Sequence, residues 1–167
     1  MNHPKTTIGF ADVEQAYLAV EIWREATQWL LEIDRPLWSL DQFNEPDARS
    51  LAAAGELVLG FEADRAVCCM TLQGADPVLW AERAPLTAFY LHKIAVRRAS
   101  AGRGWTDQLV KWAATRALGM GIGTLRLDCD PRPELMRLYE NLGFSRVEPH
   151  PVHVGDFTAV RYERHLR

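Results

Sequence analysis

A chain of 167 residues in which 48% are hydrophobic and 25% charged has the make-up of an average soluble globular domain, which excludes disordered and collagen-like classes. With 19 Lys+Arg against 22 Asp+Glu the net charge is −3, so no general basic field draws in nucleic acid or acidic membrane, and any anion site has to be local. No apolar run approaches the roughly 20 residues of a membrane span, and MNHPKTTIGF at the N-terminus lacks the apolar segment of a signal peptide. Cys68, Cys69 and Cys129 show neither a CxxC nor a Cys/His zinc spacing. These features predict one cytoplasmic domain over residues 1–167, with buried thiols and no metal.

In chain order, Thr6 to Phe10 reads as a strand, and Asp12 followed by Gln15 has the pattern of a capped helix start. Val13, Ala16, Tyr17, Val20, Trp23, Ala26, Leu30 and Leu31 recur at helical spacing, which predicts an amphipathic helix to about Glu32 with a core-facing stripe. IDRPLWSLDQFNEP, from Ile33 to Pro46, has two prolines and sets Trp38 and Phe43 among acids. It reads as a connector with a short helix or, in an enzyme, as a wall of a substrate pocket. Glu56 to Gly74 reads as a β-hairpin turning at Glu62 to Arg65. A loop then leads to a strand over Thr87 to Val96, a helix from about Trp105, and a turn and strand over Gly121 to Asp130. A further helix runs from Pro133 to Asn141 with Gly143 as its stop, and the last strands lie in FSRVEP and TAVRYERHL. This order describes a mixed α/β domain with a partly antiparallel sheet, without internal repeat or linker.

The turn Arg97-Arg98-Ala99-Ser100-Ala101-Gly102-Arg103-Gly104 lies between the strand ending at Val96 and the helix beginning near Trp105. The first N–H groups of a helix have no partner within it, and its dipole puts partial positive charge there. Glycines at 102 and 104 let an anion approach the backbone, and Arg97, Arg98 and Arg103 add full charges, the chemistry of a phosphate or pyrophosphate cradle. The dinucleotide pattern GxGxxG and the phosphate loop GxxxxGK[ST] are both absent, and glycine at such a turn also serves chain geometry alone.

Ala101 to Thr106 resembles, in register, the [QR]xxGx[GA] motif of the GNAT superfamily of N-acetyltransferases, which follows a strand and opens a helix. Gly104 matches its glycine, while Ala101 and Thr106 depart at its ends. Leu135 to Phe144 resembles the later motif of that family, with Tyr139 four residues before the Gly-Phe pair and Arg132 where an asparagine is usual. Leu91 to Val96 is similar to the strand of the arylalkylamine N-acetyltransferases, in which a histidine stands two residues before the start of the pantetheine contacts. Together the three stretches cover roughly Glu56 to Phe144.

The resemblance implies a mostly antiparallel seven-strand mixed sheet, flanked by about four helices, whose strands 4 and 5 splay to admit acetyl-CoA. The pantetheine arm would pair with backbone around Ile94, Ala95 and Val96. The pyrophosphate would rest on the turn formed by Ala101, Gly102, Arg103, Gly104, Trp105 and Thr106. The activity implied is acetyl transfer from acetyl-CoA to a primary amine by direct attack in a ternary complex. Tyr139, which helical spacing alone would place in the core, becomes the general acid for the departing thiolate.

A neutral amine, an oxyanion donor and a proton for the thiolate are what such a transfer needs. His92 has an ordinary pKa of ~6.5 and alternates in phase with Tyr90 and Ile94, so it is a candidate base; a water chain ending at Glu82, Asp128 or another acid is the alternative. A backbone N–H near Ile94 or Ala95 is the candidate oxyanion donor. Cys129 as an acyl-carrying nucleophile has no neighbouring base in the sequence to support it. Trp38, Trp80 and Tyr90 are candidates for lining an amine pocket, or core material.

The acids Asp34, Asp41, Glu45 and Asp47 hint at a cationic acceptor, or form a solvated face. Small amines, aminoglycoside-like drugs, amino acids and protein lysines all remain open, and family resemblance leaves room for a homodimer. A catalytically inactive module that binds acyl-CoA is the competing reading, and the short Arg97, Arg98 and Arg103 cluster is a weak case for nucleic acid.

Overall fold

The structure, a computed structural model, describes residues 5–167. Its elements are β1 (Thr6–Phe10), α1 (Ala16–Glu32), α2 (Glu45–Ala53), β2 (Leu57–Glu62), β3 (Arg65–Gln73), β4 (Phe89–Val96), α3 (Trp105–Gly119), β5 (Thr124–Cys129), α4 (Pro133–Asn141), β6 (Ser145–Arg146), β7 (Val152–Val154) and β8 (Phe157–His165). Hydrogen-bonded strands follow the order β1-β2-β3-β4-β5-β8-β6, with β7 on β8. This is the mixed, mostly antiparallel sheet expected, with eight strands in place of seven because the short β7 joins β8. The chain divides into two compact units, Met1–Thr71 with Lys93–Leu109, and Leu72–His92 with Val110–Arg167.

In the first unit a short 3₁₀ turn, Val13–Gln15, leads into α1, and the Asp12 amide donates to the Gln15 side-chain oxygen at 3.0 Å. Of the expected stripe, Ala16, Val20 and Trp23 are buried with Ala19 and Ile22 in one core with Phe43, Leu57, Leu59 and Cys69, whereas Tyr17 and Leu31 are exposed. Helix α2 was not foreseen, although its signals stand in the sequence. The Asn44 side chain accepts from the Asp47 amide at 2.9 Å, Pro46 sits in the first turn, and Gly55, at φ +68°, follows the end. Two of the acids that hinted at a cationic acceptor, Glu45 and Asp47, are thereby first-turn residues that suit a helix N-terminus. Strands β2 and β3 form the expected hairpin, with a register shift at Gly60, where a Cβ would run into the Cys68 thiol.

In the second unit β5 and β8 pair antiparallel over six residues, Thr124 to Cys129. Strand β4 pairs parallel with β5 only at Phe89–Leu125 and Tyr90–Arg126. The ladder ends before Leu91 and His92, which is the fork expected of strands 4 and 5. Helix α4 spans the residues read from the sequence, and Gly143, at φ +84°, stops it while the Phe144 amide returns to the Tyr139 carbonyl at 3.1 Å. The three cysteines are buried and free.

Candidate active site

His92 is the third residue beyond Phe89, just past the last registered pair of β4 with β5, and its ring stacks parallel on Tyr90 at 6.5 Å. It stands between two carboxylates. Nε2 lies 3.7 Å from Asp76 Oδ2, and Nδ1 lies 3.6 Å from Asp128 Oδ1. Both separations exceed a formed hydrogen bond, as those of candidate catalytic groups often do before substrate tightens them. Asp128 Oδ1 is buried and has no hydrogen-bond partner among the described residues. Burial first, and then the negative charge of Asp76, raise the Asp128 carboxyl from its ordinary value to about 7. The Asp128 carboxyl therefore titrates in the neutral range, 3.6 Å from the His92 ring.

Asp76 was not singled out in the sequence, because it sits in a loop without periodicity. Its Oδ1 accepts from the amides of Val78 and Leu79, both at 2.9 Å, which leaves Oδ2 for His92. The same loop is anchored by Trp80, whose ring lies 4.5 Å from the Arg161 guanidinium and 5.2 Å from that of Arg126. Arg161 also donates to the Leu79 carbonyl at 2.8 Å and pairs with Glu82 and Glu148. Glu82, a candidate end for a proton chain, is thus committed to Arg161, and its own backbone amide and that arginine hold its pKa below the ordinary value. Trp80 and Tyr90 are buried and meet edge to face at 5.8 Å, while the Tyr90 hydroxyl accepts from Arg126 at 2.8 Å. Both are core rather than pocket lining.

Tyr139 is buried on α4 against Phe144 and Tyr162, with ring centroids at 6.2 and 6.3 Å. Burial first, then the charges of Cys129 and Asp128, push its hydroxyl well above the ordinary value, so it stays protonated at neutral pH. The Cys129 thiol is pushed up to about 12 by burial and by Asp128 and Asp130. A thiol so held stays protonated near neutrality, which counts against the acyl-cysteine alternative.

In the first unit, the regular extended backbone of β4 is interrupted at Lys93, whose φ is +52°. A left-handed residue within a strand turns the neighbouring peptide groups out of the regular ladder, as at a β-bulge. The Lys93 carbonyl receives the Trp23 indole N–H at 2.7 Å, and the Lys93 ammonium lies over Trp23 and Phe43, 5.6 and 6.0 Å from the ring centroids. Ile94, Ala95 and Val96 follow this break.

The turn from Ala101 to Thr106 takes the geometry its glycines suggest. Gly102 and Gly104 have φ of +74° and +80°, and a Cβ at either would meet nothing within 4 Å, so backbone conformation and not crowding requires them. The first helical hydrogen bond of α3 runs from Gln108 to the Gly104 carbonyl at 3.1 Å, which leaves the Trp105 and Thr106 amides ahead of the ladder. Two of the three arginines, Arg97 and Arg103, are already ion-paired, contrary to the expectation of free charge, while Arg98 keeps its charge. Arg97 pairs with Glu21 at 2.8 Å and Glu25 at 2.7 Å, Arg98 stacks on Trp29 at 3.6 Å, and Arg103 pairs with Glu62. The same pairings leave little of the basic cluster once considered for nucleic acid. The anion-binding capacity of this segment therefore rests on its amides, the helix dipole and the Arg98 charge.

The sequence pattern of the Acetyltransferase (GNAT) family matches residues 21–144, and the chain belongs to that family. Among solved structures it resembles a GNAT-family acetyltransferase from Listeria monocytogenes at TM-score 0.80 and 20% identity, over 99% of each chain. It also resembles the PaiA N-acetyltransferase of Thermoplasma acidophilum, solved in complex with coenzyme A, at TM-score 0.75 and 12% identity over 96% of this chain and 99% of that one. A third likeness is YncA of Salmonella typhimurium, a putative acetyltransferase solved with its cofactor acetyl-CoA, at TM-score 0.71 and 17% identity over 97% and 94%. No curated protein matches the sequence. Among the described residues no helix is long and apolar enough to cross a membrane.

Proposed function

We propose that residues 1–167 act as one acetyl-CoA-dependent N-acetyltransferase domain, which transfers acetyl to a primary amine by direct attack in a ternary complex. The observation that carries this reading is His92 held between Asp76 and Asp128 in a chain of the GNAT family. The amine arrives as an ammonium ion, and His92, with Asp128 3.6 Å from its Nδ1, takes its proton. The freed nitrogen attacks the thioester carbonyl. A peptide N–H turned out of the ladder beside Lys93, at Ile94 or Ala95, meets the developing oxyanion. Collapse of the tetrahedral intermediate expels the thiolate of coenzyme A, which takes the proton of the Tyr139 hydroxyl, and the remaining extra proton on the new amide nitrogen returns through solvent to the Tyr139 oxygen.

Acetyl-CoA is the co-substrate, and the reaction itself calls for no metal. The Ala101 to Thr106 turn holds the pyrophosphate through backbone amides, so the departures at Ala101 and Thr106 cost side-chain contacts only. Backbone around Ile94 and Val96 receives the pantetheine arm. The acceptor is a small-molecule or protein amine, and the retained Tyr139 favours turnover over an inactive binding module. Thiol release from acetyl-CoA across a panel of primary amines tests the reading. Amine-dependent release that falls at least tenfold in His92→Gln is the expected result, and release indifferent to every amine would overturn it.

A further inference from the structure

The Asp76, His92 and Asp128 side chains each offer one donor atom, and the three donors lie within 4.8 Å of one another. Ligands held about 2.0–2.2 Å from a tetrahedral ion stand roughly 3.3–3.6 Å apart. The 3.7 Å edge between Asp76 Oδ2 and His92 Nε2 is already close to that spacing. Because His92 can give only one nitrogen to one ion, the third bond requires Asp128, which now faces Nδ1, to turn toward the nitrogen that Asp76 faces. Two features favour a cation here over an empty cluster. Asp128 Oδ1 is buried without a hydrogen-bond partner among the described residues, and the Asp76 side chain is only 8% exposed, with Oδ1 engaged by two amides that orient Oδ2.

We propose that Asp76, His92 and Asp128 bind a divalent transition-metal ion of the Zn²⁺ class, leaving a fourth position to solvent. One imidazole and two carboxylates suit Zn²⁺ over Mg²⁺, which demands near-octahedral coordination by oxygen ligands. Metal binding stands on the geometry alone. Its consequence, that the ion occupies the His92 lone pair and inhibits acetyl transfer, rests on the reading of His92 as the base.

The test is thermal unfolding of the chelator-treated full chain with ZnCl₂ or MgCl₂, for wild type, Asp128→Asn and His92→Gln. Zn²⁺ at a hundred times its dissociation constant raises the wild-type midpoint by roughly 5–10 °C while Mg²⁺ does not, and each variant loses at least about tenfold in affinity. Co²⁺ in wild type gives the visible absorption of a four- or five-coordinate ion, and Zn²⁺ shields His92 from diethyl pyrocarbonate, both readable should a variant fail to fold. Equal Zn²⁺ stabilisation in all three proteins, or no Zn²⁺-specific shift and no shielding, overturns the site. Zn²⁺ binding with undiminished thiol release upholds the site and counts against His92 as the base.

Discussion

His92 Nδ1 and Asp128 Oδ1 stand 3.6 Å apart, and that oxygen is buried without a hydrogen-bond partner among the described residues. The pair brings together one group that ordinarily titrates near neutrality and another that burial has moved there. In the proposed reaction, that match serves the removal of a proton from an ammonium ion.

Asp128→Asn separates the role of this carboxylate in activity from its role in stability. In chelator, kcat/KM at pH 7 should fall by about 10–100-fold, and the rise of the wild-type profile around pH 7 should flatten. Stability should move the other way. The folded-state pKa of about 7 lies above the unfolded value of about 4, so ionisation within the fold destabilises it; this cost is absent below pH 4 and complete above pH 7. The variant should therefore gain stability at pH 8, by at most about 4 kcal/mol from a three-unit shift, and gain much less at pH 5. Paired unfolding curves at the two pH values measure this.

Tyr139→Phe keeps the ring that packs on Phe144 and Tyr162 and removes only the hydroxyl. The expected outcome is a kcat at least about tenfold lower, with acetyl-CoA affinity and the unfolding midpoint nearly unchanged. Steady-state kinetics beside calorimetric titration of coenzyme A would show the split.

Gly104→Ala places a Cβ in open space but forces a non-glycine residue to φ +80°. About 1–2 kcal/mol of strain results, relieved by distorting the turn. Coenzyme A should bind about tenfold more weakly, a loss measurable by titration. Because Arg103 already pairs with Glu62, Arg103→Ala should change that affinity less than Gly104→Ala does.

Trp23→Phe preserves most of the stacking on Phe43, whose ring lies 5.2 Å away, and deletes the N–H that the Lys93 carbonyl accepts. Loss of that bond should cost about 1–3 kcal/mol, seen as a lower unfolding midpoint. It should also lower kcat if the backbone break at Lys93 positions the oxyanion donor.

Local chemistry was legible in the sequence by itself. Helical periodicity set α1 in place and the Pro133 start and Gly143 stop bounded α4, while Gly102 and Gly104 marked a turn that only positive φ allows. Each depends on residues within a few positions of one another, where propensity and sterics act directly. Tertiary structure alone decided that Asp76 and Asp128, from a loop and from β5, meet the His92 ring from either side. It alone committed Arg97 and Arg103 to Glu21, Glu25 and Glu62, stacked Arg98 on Trp29, and set a left-handed residue, Lys93, inside β4. Charge pairing and desolvation depend on which groups the fold brings within a few ångströms, and that spacing is independent of their separation along the chain.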